Sequence, residues 1–292
     1  MPPEPLIHWP EPIVQLIGFI AQFLAAGAIG FRFFALRNRE IEADRLFYDD
    51  AAKRAAWLGL VGISISLAMM LWQLPGAAAR KHVGATAYLG ATPQSMLELV
   101  FFIVAAIGFL LAANSVGAGW YIAAIGVVVG ALRAVFTGKW SSLVNPIHVL
   151  AAGLWIGTLL VLVVAGLSAV ITHEPARERR GAIAADMVNG FSPLALSMGA
   201  VVVLFGVITA WRHLHHIDAL WTTPYGIALI VKLVFVAIVF ALGAWNWRRQ
   251  RPTLGTEAAA SAIRRSATAE LTVAAIVLII TAVIVSLPSP KG

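Results

Sequence analysis

The chain has 292 residues, of which 60% are hydrophobic and only 12% charged. A soluble domain of that length needs far more charge to cover its surface, so an ordinary globular class is excluded. The net charge of +7 is gathered in a few loops, which excludes a nucleic-acid partner and points to orientation of the chain in a lipid bilayer.

Apolar runs long enough to cross a bilayer, roughly 20 residues, recur along the sequence, and about eight are predicted. In chain order they are Ile13–Phe34, Ala55–Leu74, Ser95–Ala113, Gly119–Phe136, Pro146–Ile171, Ser192–His213, Tyr225–Trp247 and Ala269–Leu287. Their length and Gly/Ala content suit helices, and no alternating barrel pattern is present. The expected fold is all-α, a polytopic membrane helix bundle of about eight transmembrane helices. Arg37, Arg39, Arg45, Lys53 and Arg54 follow the first run, and Arg177, Arg179 and Arg180 follow the fifth. Arg248, Arg249, Arg251, Arg264 and Arg265 follow the seventh, while the other loops hold only Arg80, Lys81, Lys139 and Arg212. Basic loops stay in the cytoplasm, so residues 36–54, 172–190 and 248–268 are expected inside and both termini extracytoplasmic. The opening MPPEPLIHWPEP has no basic region or cleavage site, and is not read as a removable signal peptide.

The segment LAAGAIG (Leu24–Gly30) in the first run echoes LAAGLWIG (Leu150–Gly157) in the fifth. Each precedes a basic loop, as a parallel duplication into membrane halves 1–140 and 141–292 would require. Small residues also let helix backbones approach closely, which is a sufficient role without duplication. The absence of cysteine excludes disulfides and thiolate metal sites. No GxxxxGK[ST] phosphate loop is present, so ATP-driven pumping by this chain is not expected.

On this topology His8, His82, His148, His213, His215 and His216 all fall on the outer side, and only His173 falls inside. General solvation would scatter them, so a metal-facing outer surface is expected. The densest element is WRHLHHIDALW, Trp211 to Trp221. In a helix His213 and His216 share a face; in an extended chain His213 and His215 do. Asp218 can bind directly or orient a ring. An interfacial loop anchored by the two tryptophans is the alternative. His148 opens the fifth run at matching depth, and the two rings are expected to converge. Met69, Met70 and Met96 add thioethers, and imidazole with thioether but no thiolate suits copper, particularly Cu(I). Glu98 and Lys232 are intramembrane charges and functional candidates by default; Glu98 is expected either to ligate a cation or to pair with Lys232. Gln15 and Gln22 share a helix face and can add polar lining to the first run.

The stretches HVLAAGLWIGTLL (His148–Leu160), NGFSPLALSMGAVVVLFGVITAW (Asn189–Trp211), TTPYGIALIVKLVFVAIVFALGAWNWRRQRP (Thr222–Pro252) and RRSATAELTVAAIVLIITAVIVSLP (Arg264–Pro288) arrive in this order. With these the second half resembles the copper resistance protein D family; the first four runs match only in general character. The resemblance implies a non-enzymatic multi-pass protein of the bacterial inner (plasma) membrane, engaged in copper uptake or tolerance. It also implies a separate periplasmic copper-binding partner of the copper resistance protein C type. It lends weight to Tyr225 and Lys232 without attaching a ligand set. The leading expectation is therefore copper received at His148, His213, His215 and His216, with His82, Asp218 and Met96 assisting, and passage onward by Glu98. Two alternatives stand beside it: b-type haem ligated by His148 with His213 or His216, and an accessory subunit of a larger respiratory membrane complex.

Overall fold

The computed structural model describes residues 9–36, 45–173, 177–214, 216–250 and 259–287. Its helices are α1 (Glu11–Gly30), α2 (Arg45–Ala79), α3 (Ala85–Ala91), α4 (Pro93–Ala113), α5 (Ala118–Ala131) and α6 (Val144–Ala152). They continue as α7 (Thr158–Val161), α8 (Leu167–His173), α9 (Arg177–Leu214), α10 (Ala219–Thr222), α11 (Pro224–Gln250) and α12 (Ala259–Ser286). Helices α6, α7 and α8 form one span joined by π-helical turns at Gly153–Gly157 and Leu162–Gly166, and another such turn, Phe31–Ala35, closes α1. Single π-turns widen a helix locally and concentrate at functional positions.

Among the described residues seven helices are long and apolar enough to cross a membrane: Glu11–Ala35, Leu46–Ala79, Pro93–Ala113, Trp140–Val170, Arg179–Leu214, Pro224–Asn246 and Ile263–Ser286. This corrects the expected eight. The fourth run makes only the 14-residue α5, about 21 Å long against a hydrocarbon core of about 30 Å. Beyond Leu132 the chain tightens into 3-10 turns, Arg133–Thr137 and Trp140–Leu143. The change falls where Arg133 turns back to donate to the Gly130 carbonyl, at 3.0 Å, and to hold Glu98. Up to that point α5 lies antiparallel on α4, with Gly119 beside Ala112, Gly108 beside Ala123 and Gly126 beside Ala105.

The two echoing segments cross one another, running parallel. A Cβ on Gly27 would run into the Gly157 backbone, one on Gly157 into the Phe23 carbonyl, and one on Gly30 into the Thr158 hydroxyl. Thr158 is fully buried at this seam. Around it lies one continuous apolar core that includes Phe31, Phe109, Val161, Leu162 and Met187. Leu196, Val207, Leu233 and Ile279 are exposed on the flanks, the state expected where lipid covers the surface.

The helices alternate in direction, which sorts the polar residues to two ends. One end collects the C-terminus of α2, the starts of α6 and α11 and the C-terminus of α9, and with them His82, His148, His213 and His216. The opposite, basic end is tied by polar contacts. Tyr48 Oη donates to Asp186 Oδ2 at 3.2 Å, Arg54 Nη1 donates to Ser168 Oγ at 3.0 Å, and Arg54 Nε pairs with Asp50 at 2.7 Å.

Candidate metal centre

His148 projects from α6 toward α9, where its Nδ1 lies 3.0 Å from the Val202 carbonyl oxygen. A carbonyl oxygen only accepts, so Nδ1 carries the proton and Nε2 keeps its lone pair. Gly206, one turn further along α9, makes room for the ring: a Cβ there would sit 3.0 Å from His148 Cε1. His213, near the C-terminus of α9, repeats the arrangement within its own helix. Its Nδ1 donates to the Thr209 carbonyl at 2.8 Å, so its Nε2 is also free. The buried Tyr225 at the start of α11 stacks on this ring, 5.8 Å between centroids and 13° between planes. An Nδ1–H donated to a backbone carbonyl is how metal-ligating histidines are commonly oriented.

The two accepting carbonyls, Val202 and Thr209, are one heptad apart, hence on one face of α9 and about 10 Å apart along its axis. The rings thus occupy successive levels, His213 outermost and His148 deeper. Half-buried Lys232 on α11 is within electrostatic reach of His148. Among the described residues no group of three or more His, Asp or Glu converges on one point.

The remaining candidates spread over the same end. His216 and Asp218 are exposed in the turn between α9 and α10. His82 is exposed in the turn after α2, with a left-handed φ of 56°. Met96 is exposed on the first turn of α4. His8 and His215 lie outside the described residues. Met69 packs on α1, where a Cβ on Gly18 would lie 3.4 Å from its methyl. Gln22 is exposed, so the pair with half-buried Gln15 does not line the interior.

Glu98 differs from expectation. Its partner is Arg133, Nη2 to Oε2 at 2.8 Å, and not Lys232. Sequence reading passed over Arg133 because it sits at the end of an apolar run. It also passed over Glu270 on α12, whose Oε1 accepts from Asn246 Nδ2 on α11. A charge inside an apolar run was the available signal for both. The Val202 and Thr209 carbonyls and the space at Gly206 carried no signal, since any backbone offers a carbonyl.

The copper resistance protein D family model matches residues 185–284. That stretch includes His213, Lys232, Asn246 and Glu270, and the carbonyl that receives His148. Over 151 residues the chain is 31% identical to the "Copper transport protein CutJ" of Bacillus subtilis (strain 168). The matched stretch is 51% of this chain and 25% of that relative, so only about a quarter of the relative's length is represented. No solved structure matches the chain significantly. Over residues 185–284 this multi-pass membrane chain is similar to the copper resistance protein D family.

Proposed function

We propose that the chain is a copper-handling protein of the bacterial inner membrane, accepting copper ions at the extracytoplasmic histidine end and passing them into the bundle. One observation carries the reading: His213 and His148 sit in sequence on one face of α9, each with Nδ1 committed to a backbone carbonyl and Nε2 left to bind. Neutral imidazole with a free Nε2 is a competent copper ligand, and the lack of thiolate keeps the site outside the tightest-binding class. The family match and a relative named as a copper transport protein support copper as the cargo. His216, Asp218, His82 and Met96 then form an exposed collar that receives the ion. A separate periplasmic copper carrier of the copper resistance protein C type is the natural donor. No catalysis is proposed. The Glu98–Arg133 pair leaves Glu98 a structural tie between α4 and the chain after α5. The halves 1–140 and 141–292 meet at the glycine seam as two related units.

The test is copper retention by the purified full chain after loading with Cu(I) and desalting. His148→Ala and His213→Ala should each lower retained copper at least threefold, and the double variant should abolish it, with membrane insertion unchanged. Axial haem ligation by the same pair needs both Nε2 atoms within about 2 Å of one iron, and the levels on α9 are about 10 Å apart. A Soret band in protein purified without added metal, lost in His148→Ala, would overturn the copper reading in favour of haem. Wild-type protein with neither copper nor haem would leave the accessory-subunit role in its place.

A further inference from the structure

An ion bound at the histidine end still faces the full thickness of the bilayer, and one face of α11 spans it. Tyr225, Lys232, Val239 and Asn246 follow one another at heptad spacing on this helix. Each seven-residue step turns a helix by about 700°, close to two full turns, so the four share a face. Tyr225 to Asn246 covers about 30 Å, the thickness of the hydrocarbon core. The residues that meet this face from other helices also come in order. His213 stacks on Tyr225, and Lys232 lies within electrostatic reach of His148. Phe240, beside buried Val239, meets Trp155 of the π-turn after α6, with ring centroids 4.8 Å apart. Asn246 donates to Glu270. The close backbone packing of α11 is with α12, whereas it meets α9 and the α6 span through these long side chains.

Glu270, on α12 opposite the Asn246 end of this face, is the residue that packing does not explain. It is half-buried, about two turns inside the span Ile263–Ser286 at 3.6 residues per turn. Asn246 satisfies one carboxylate oxygen. The other lies over Gly243, where an added Cβ would meet it in ordinary van der Waals contact at 3.7 Å. Among the described residues no cation pairs with it. An intramembrane carboxylate without a counter-ion is costly, and such residues mark ion pathways.

We propose that Glu270 and Asn246 form a second, low-affinity cation site, the basic-end terminus of a path along this face of α11 that Val239, Phe240 and Trp155 close in the middle. The inference rests on the copper reading above. Ligand softness gives the two ends different roles. Imidazole nitrogen retains Cu(I), while carboxylate and amide oxygens are poor partners for it. A site from which an ion must depart has to be weak. The Lys232 ammonium and the dry Val239–Phe240–Trp155 layer keep an ion from resting between the ends, so the path holds two half-sites with a closed barrier.

The experiment is copper(I) flux into proteoliposomes of the full chain enclosing a membrane-impermeant copper(I) indicator, run beside copper retention in detergent. Glu270→Gln should retain copper as wild type does and slow flux at least tenfold. Asn246→Ala, which keeps the carboxylate but frees it, should slow flux about threefold to tenfold with retention again unchanged. If wild type moves copper and both variants match its rate, the inner site is wrong and the copper reading stands. Should Glu270→Gln fail to fold, Asn246→Ala decides, and an unchanged rate overturns the proposal. A wild-type chain that neither retains nor moves copper would overturn this proposal together with the reading beneath it.

Discussion

Gly206 decides how His148 is held, because the imidazole occupies the space where any other residue would place a Cβ, 3.0 Å from Cε1. Gly206→Ala forces the ring to give by a few tenths of an ångström and loosens its bond to Val202. Overpacking of this kind costs about 1–3 kcal/mol. Copper retention should fall about threefold in Gly206→Ala and to the level of His148→Ala in Gly206→Val, both read by metal content after desalting. Arg133 and Glu98 are each 29% exposed in their side chains. Removing one partner of a buried pair costs about 3–5 kcal/mol, and partial exposure brings the expectation for Arg133→Ala to about 1–3 kcal/mol. Replacing both, as in Glu98→Leu with Arg133→Met, should restore most of that loss, because no orphaned charge remains. Detergent-denaturation midpoints of the three proteins check it. A double variant no better than Arg133→Ala would show that the pair acts through something other than its charges. Glu98 and Lys232 were visible in sequence as costly charges. The choice of Arg133 over Lys232 depended on α5 lying antiparallel on α4, which brings residues 98 and 133 to the same level.

At the level of elements, the bundle is organised by where helices lack side chains. The crossing of α1 with the span formed by α6, α7 and α8 brings Gly27 and Gly157 into backbone contact. Without a hydrophobic drive between helices in lipid, such close approach and its dispersion energy are what hold spans together. Gly157→Leu should therefore separate the two spans and abolish a monodisperse, folded protein in size-exclusion chromatography, whereas Gly84→Leu, at a position with nothing within 4 Å, should behave as wild type. A well-folded Gly157→Leu would mean that the seam is not the organising contact. The LAAG echo showed both segments, but not that they touch. The shortness of α5 was equally hidden, since the hydropathy of Gly119–Phe136 is that of a span while its helix ends at Ala131. The tail of the run is spent on 3-10 turns.

For the whole molecule, the basic loops predict an orientation in the membrane. With no native cysteine in the chain, single cysteines at Lys81 and Lys139 should react with a membrane-impermeant thiol reagent in intact cells, and those at Arg179 and Arg264 should be protected. The reverse pattern would place the histidine end in the cytoplasm and remove a periplasmic donor from the mechanism. The membrane class, seven of the eight apolar runs that were expected to span, and the gathering of histidines at one set of loops were legible in the sequence alone. Each is a property of a segment acted on separately by its solvent: lipid selects apolar runs one at a time, and charge retains loops one at a time. Which carbonyl receives His148, which cation holds Glu98, and which amide reaches Glu270 were decided only by the tertiary structure. Those pairings depend on how far each helix is rotated about its axis and shifted along it. Rotation and shift are set by the glycine contacts between spans distant in the chain, and no single segment contains them.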